Sequence, residues 1–109
     1  GPGAAESEGG EQVKAYELML MLTPNLDDEA REAALEKVQS LISSVDGAVD
    51  NVDPWGKRKL AFEIDDLAEG DYVVIDFHAT PASIAEIDRV LRITDSVRRF
   101  LLVRRDDRE

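Results

Sequence analysis

A chain of 109 residues with 24 acids against 13 lysines and arginines, a formal charge of −11, is long enough for one core and too short for two. Without cysteine it has no disulfide, thiolate nucleophile or thiolate metal site, so nothing argues for an oxidising setting and an intracellular one is expected. No apolar run approaches the roughly 18 to 20 residues of a membrane span, and the polar N-terminus does not read as a secretory signal peptide.

Gly1 to Gln12 combines Gly, Ala and Glu without a periodic apolar residue, so it is expected as a disordered acidic arm. Its opening Gly-Pro-Gly reads as a processing or cloning remnant. The folded domain is expected over 13–105 and a short polar tail over 106–109. Ala15 to Leu22 alternates as a strand, with Tyr16, Leu18, Leu20 and Leu22 facing one way and Glu17, Met19 and Met21 the other. Thr23-Pro24-Asn25 ends it, and Asn25 or Asp27 can cap a helix whose positive N-terminus suits Asp27, Asp28 and Glu29. Ala30, Ala34, Leu35, Val38, Leu41, Ile42 and Val45 form one helical stripe over 27–46, and Gly47 is the expected left-handed residue after it.

Ala48 to Val52 reads as a short extended piece, interrupted at Pro54 and Gly56 before strand resumes over Lys57 to Ile64. Proline cannot donate to a ladder, so this strand is expected at an edge, bent or bulged near Trp55. The stretch sets Lys57, Arg58 and Lys59 beside the only tryptophan, with no acid between Pro54 and Phe62, which makes a local anion-seeking spot. The competing reading is a strand end whose lysines discourage edge-to-edge pairing. Asp65 to Gly70 reads as a polar turn. Asp71 to Ala79 is the third strand, with Val73, Ile75, Phe77 and Ala79 on one face and Tyr72, Val74, Asp76 and His78 on the other. Thr80-Pro81 starts a second helix, the threonine as cap and Ile84, Ile87 and Leu91 as its apolar face, ending near Arg92. Val97 to Arg104 is the fourth strand, Phe100 and Leu102 opposing Arg99, Leu101 and Val103.

The order β-α-β-β-α-β is that of an α+β, ferredoxin-like sandwich: a four-stranded antiparallel sheet, spatial order 4-1-3-2, with two helices on one face. The uncovered face would present Met19, Met21, Tyr72, Val74, Leu101 and Val103. That set is larger than a soluble monomer usually leaves in water, so it is read as a protein-partner face; the competing reading is scattered apolar residues diluted by Glu17, Asp76 and Arg99. Nine of the 13 cations fall in two windows, Lys57 to Lys59 and arginines 89, 92, 98, 99, 104 and 105, so a polarised molecule with a basic edge is expected despite the net charge.

Catalytic chemistry is absent from the pattern. His78, the only histidine, stands near no evident base or nucleophile and reads as a surface residue. There is no phosphate-binding glycine loop, calcium loop or zinc spacing, and no metal or cofactor is expected. The acids Asp65, Asp66, Glu69 and Asp71 read as a solvated turn. An RNA-recognition motif would share the element order, but its third strand needs several aromatics and a cation where Asp71 to Phe77 supplies two acids.

Ala15-Tyr16-Glu17, Thr23-Pro24-Asn25-Leu26, Trp55-Gly56-Lys57-Arg58-Lys59-Leu60-Ala61-Phe62 and Ser96-Val97-Arg98-Arg99 together resemble the bacterial small-subunit ribosomal protein six family over roughly residues 14 to 105. The resemblance implies a non-enzymatic protein that binds the central domain of 16S ribosomal RNA together with ribosomal protein eighteen, its obligate neighbour in assembly. Carried over by position, the RNA-binding candidates are Lys14, Trp55, Lys57, Arg58, Lys59, Arg98 and Arg99. Lys14 stands where the family often has arginine, and the acidic arm is additional to the family pattern. A small-molecule-sensing regulatory domain on the same fold is the alternative reading.

Overall fold

The computed structural model describes residues 12–63 and 66–108, with the backbone alone for 59–63 and 66–69. The expected arm therefore lies outside the described residues, except for Gln12, as do Ile64 and Asp65. The elements run β1 (Lys14–Leu22), α1 (Asp28–Ser44), β2 (Ala48–Glu63), β3 (Asp66–Ala79), α2 (Pro81–Arg92), β4 (Val97–Arg104) and a 3-10 turn (Asp106–Arg108). All strand pairs are antiparallel, in the order β2-β3-β1-β4, so β2 and β4 are the edges and the ferredoxin-like arrangement stands.

Strand alternation sends one face of the sheet into the core. Tyr16, Leu18, Leu20 and Leu22 join Val73, Ile75, Phe77 and Ala79 against Ala34, Leu35, Val38 and Ile42 of α1 and Ile87 and Leu91 of α2. The Tyr16 and Phe77 rings stack with centroids 5.6 Å apart. Burial of this apolar surface, at about 25 cal/mol per Å², is the main force holding the helices to one face.

Helix ends follow local chemistry, with two departures from expectation. Asp27 is the cap of α1, its Oδ1 accepting from the Ala30 N–H at 2.7 Å. At the other end the left-handed residue is Asp46 (φ 65°), not Gly47. Gly47 is needed for space instead: a Cβ there would lie 2.7 Å from Ile42 Cγ2 and 2.9 and 3.1 Å from the Ile42 and His78 carbonyl oxygens. At α2 the Thr80 hydroxyl lies 2.9 Å from Ser83 Oγ and bonds no helix N–H, while Ser83 Oγ donates to the Val45 carbonyl at 3.0 Å and ties α2 to the end of α1.

The largest correction concerns the central hairpin. Strand β2 is continuous from Ala48 to Glu63, and the expected polar turn over 65–70 is strand from Asp66 onward. Pairing of β1 with β3 stops at Leu22 and Asp71, so the hairpin runs on alone from the Arg58–Gly70 pair to the Glu63–Asp66 pair. This is a two-stranded ribbon about 20 Å long. The expected irregularity at Trp55 is present as a bulge: Pro54 pairs with Val73 and Gly56 with Tyr72, leaving Trp55 outside the ladder.

Candidate nucleic-acid interface

One cross-sheet row organises the site. Arg99 of β4 pairs with Met21 of β1, Met21 with Tyr72 of β3, and Tyr72 with Gly56 of β2. The tryptophan-flanked cations and the paired arginines, separate in sequence, therefore share one end of the sheet. They stand at its opposite edges, three interstrand spacings or about 14 Å apart.

Bulges present the side chains at both edges. On β2, Gly56 takes φ 79°, a conformation that disfavours side chains, and turns the chain past Trp55. The Trp55 Nε1–H donates to Asp53 Oδ2 at 3.1 Å. Arg58 sets its guanidinium 5.7 Å from the Trp55 ring centroid, within cation–π range, and its Nε–H donates to the Trp55 carbonyl at 3.3 Å. On β4, Arg99 pairs with Met21 and Val97 with Leu22, so Arg98 is the bulged residue and is exposed. The loop before it is fixed to the end of β1, where Thr23 donates its N–H to the Ser96 carbonyl at 2.9 Å and its hydroxyl to the Asp95 carbonyl at 2.5 Å.

The charge pattern departs from the expected basic edge. Arg89 and Arg92 are held by acids one turn earlier on α2, Glu86 at 2.8 Å and Asp88 at 2.7 Å. Hydrogen bonding to these acids raises both arginines' pKa values, and the bond from Arg89 lowers that of Glu86. Arg104 meets Asp106 at 2.9 Å, and Arg105 meets Asp107 and Glu17. Acids outside the arginine window in sequence thus neutralise most of it in space. Among the described residues, Lys57, Arg58 and Arg98 have no carboxylate partner, and all three are exposed. Arg98 also lines a cavity of about 560 Å³ between α2 and β4, where Arg92 lies 5.7 Å from the Phe100 ring centroid.

A residue that sequence reasoning missed maintains this state at the hairpin base. Asp71 stands opposite Lys57 in the β2–β3 register. Both its oxygens accept from Arg31 of α1, at 2.6 and 3.3 Å, and this bond raises the Arg31 pKa. Arg31 thus neutralises the acid that stands opposite Lys57 in the ladder. The pair is 40 residues apart, and no local pattern signals it.

Two of the other RNA candidates do not join the cluster. Lys14 pairs with Ala79 at the opposite end of β1, seven residues or about 23 Å from Met21. Lys59 is on the ribbon opposite Glu69, and its side chain lies outside the described residues.

The uncovered sheet face is more closed than expected. Met21, Tyr72 and Val74 are 2%, 0% and 5% exposed, and Met19 is half-buried. Met21 lies across Gly70 at the hairpin base, where a glycine Cβ would come 2.6 Å from its Cγ. Leu101 and Val103, at 44% and 40%, are the members of the set open to a partner. His78 on this face does have a neighbour, contrary to expectation: its Nδ1 lies 2.5 Å from Asp50 Oδ2. No cluster of acids and histidine among the described residues has the makings of a metal site.

The family model described as Ribosomal protein S6 matches residues 15–104. The chain is 47% identical over 91 residues to the small ribosomal subunit protein bS6 of Clostridium novyi, covering 84% of this chain and 96% of that one. It is 43% identical over 95 residues to the bS6 protein of Caldanaerobacter subterraneus, covering 87% and 100%. The crystal structure of 30S ribosomal protein S6 from Thermotoga maritima superposes with a TM-score of 0.76 at 35% identity, covering 88% of this chain and 91% of that one.

Proposed function

The chain belongs to the ribosomal protein S6 family, and from that membership we propose that it binds the central domain of 16S ribosomal RNA jointly with ribosomal protein eighteen, as a constituent of the bacterial small ribosomal subunit. Its role is structural and not enzymatic, and its place is the cytoplasmic ribosome.

The observation that carries the RNA reading is the gathering of Lys57, Arg58 and Arg98, without carboxylate partners among the described residues, at one end of the sheet. Phosphates are held by cations that release counterions, and a cation already paired with a carboxylate has little to release. Arg58, within cation–π range of the Trp55 ring, is oriented before it meets RNA, and the half-buried indole lies beside it where a base could stack. Three cations on a chain of net charge −11 make a weak footprint. A basic partner on the Leu101–Val103 side would join a second footprint to it through effective concentration.

Binding of a central-domain RNA fragment by the chain alone and by its complex with protein eighteen tests this. At physiological salt the complex binds well and the isolated chain hardly at all. Tight, salt-insensitive binding by the isolated chain would refute the joint mechanism.

A further inference from the structure

The uncovered face carries a charge pair that the RNA reading leaves unused. Glu17 on β1 stands directly opposite Asp76 on β3, in a row that continues to Val103 on β4 and Asn51 on β2. Like charges facing across adjacent strands repel, and the row itself contains no cation.

Compensation arrives from the end of the chain. After β4 the Arg105 N–H donates to the Ala15 carbonyl at 2.8 Å, and Asp106–Arg108 then winds back over the sheet. The Arg105 guanidinium donates to Glu17, and that of Arg108 donates to Asp76 at 2.6 Å and lies 3.9 Å from Glu17. Arg105 also holds Asp107 through two contacts of 3.1 Å. The two sides of this contact are unequally anchored. Glu17 and Asp76 sit in central strands with side chains 20% and 24% exposed, whereas Asp106, Asp107 and Arg108 are all exposed and bury no apolar group. Ion pairs of this solvent-facing kind hold a segment only weakly.

We propose that the Glu17–Asp76 pair is a docking point for an arginine- or lysine-bearing segment of a protein partner, and that the Asp106–Arg108 turn is its built-in placeholder, displaced when that segment binds. The chemistry of the occupant is read from the face. Two guanidinium groups already occupy the carboxylates. Asp50, beside His78, adds a third carboxylate toward the β2 edge. The exposed Leu101 and Val103 border the site, Val103 in the same row as Glu17, and would receive the apolar part of the segment. The inference rests on the proposed function only for which protein supplies the segment.

A dye-labelled oligoarginine peptide is the probe, with fluorescence anisotropy at low salt as the readout. Arg105→Ala with Arg108→Ala empties the site, while Arg89→Ala with Arg92→Ala makes the same charge change on α2 and bares Glu86 and Asp88. The first pair raises affinity on the order of threefold to tenfold; the second raises it much less. Adding Glu17→Gln and Asp76→Asn to the first pair cancels the rise. In the unaltered chain, saturating peptide shifts the amide resonances of 105–108 together with those of Glu17 and Asp76. Equal rises in the two double variants, a rise that survives Glu17→Gln and Asp76→Asn, or resonance shifts confined to other regions each overturn the proposal. Failure of protein eighteen to bind, with the peptide results intact, removes the partner named under the proposed function and leaves the docking point standing.

Discussion

Charge position, not charge number, should govern RNA affinity, and two double variants of equal formal charge separate these. Lys57→Ala with Arg58→Ala removes two exposed cations that have no carboxylate partner among the described residues. Arg89→Ala with Arg92→Ala removes two that Glu86 and Asp88 already neutralise at 2.8 and 2.7 Å. Each phosphate contact contributes about 0.7 to 0.9 to the slope of log affinity against log salt, so the first variant loses about 1.4 to 1.8. Between about 50 and about 200 mM salt, its affinity then falls less than the parent's by a factor of roughly 7 to 12. The second variant should keep the parent slope. The assay is a salt titration of a central-domain RNA fragment bound to the complex with protein eighteen, with analytical sedimentation to confirm that the two proteins remain associated. Equal flattening in both variants would mean that net charge alone matters, and an unchanged slope in the first would move the phosphate contacts elsewhere.

The half-closed sheet face gives a contrast in stability: Val74→Glu, at a 5% exposed position, should cost about 3 to 5 kcal/mol as an uncompensated buried charge. Leu101→Glu, at 44% exposure, should stay within about 0.5 kcal/mol of the parent and yet impair the complex. Comparable melting temperatures for these two variants would contradict the burial argument. Gly47→Ala should cost about 1 to 3 kcal/mol through crowding of Ile42 and the His78 carbonyl, and a parent-like denaturation midpoint would show that this corner yields freely. Glu86 is held below its ordinary 4.5 by the hydrogen bond from Arg89. A lowered carboxylate pKa stabilises the fold above the unfolded-state value and is lost as pH falls through the folded-state value, so this contribution fades below about pH 4.5. In Arg89→Ala the Glu86 carboxyl should titrate at a higher pH by NMR; an unmoved titration would assign the lowering to another group.

The elements that pack on the core were legible because their periodicity is enforced by burial. Leu18, Leu20, Val73 and Ile75 can face only one way, and Pro81 can begin a helix but not sit within one. The ribbon beyond Asp71 was not legible. Its backbone pairs with β2 alone, beyond the last β1 partner at Asp71, and a polar, glycine-ended run looks like a turn. Burial of Met21 depends on Gly70 at the base of that ribbon, so misreading the hairpin also made the opposite face look more open than it is. The ion pairs that join one element to another were hidden by distance along the chain, whereas those within α2 follow ordinary helical spacing. Arg31 and Asp71 are 40 residues apart, and Arg105 and Glu17 are 88.

That concealment bears on how an acidic chain meets a polyanion. At −11 the molecule repels phosphate at long range, and salt screens the repulsion only beyond about 8 to 10 Å. Local attraction then depends on cations whose own neighbourhood is cleared of acids. Asp71, the acid opposite Lys57, is drawn off by Arg31, while the arginines of α2 and of the C-terminal turn absorb Glu86, Asp88, Glu17 and Asp76. The excess of acid is therefore partly spent on arginines remote from Trp55. Removing Arg31 would then weaken RNA binding without Arg31 touching RNA, because Asp71 would be left to compensate Lys57. Arg31→Gln is the variant that separates this positioning role from a contact. Its salt slope should flatten as though Lys57 were lost, and adding Asp71→Asn should restore it; a slope that stays flat in the double variant would make Arg31 itself the phosphate ligand.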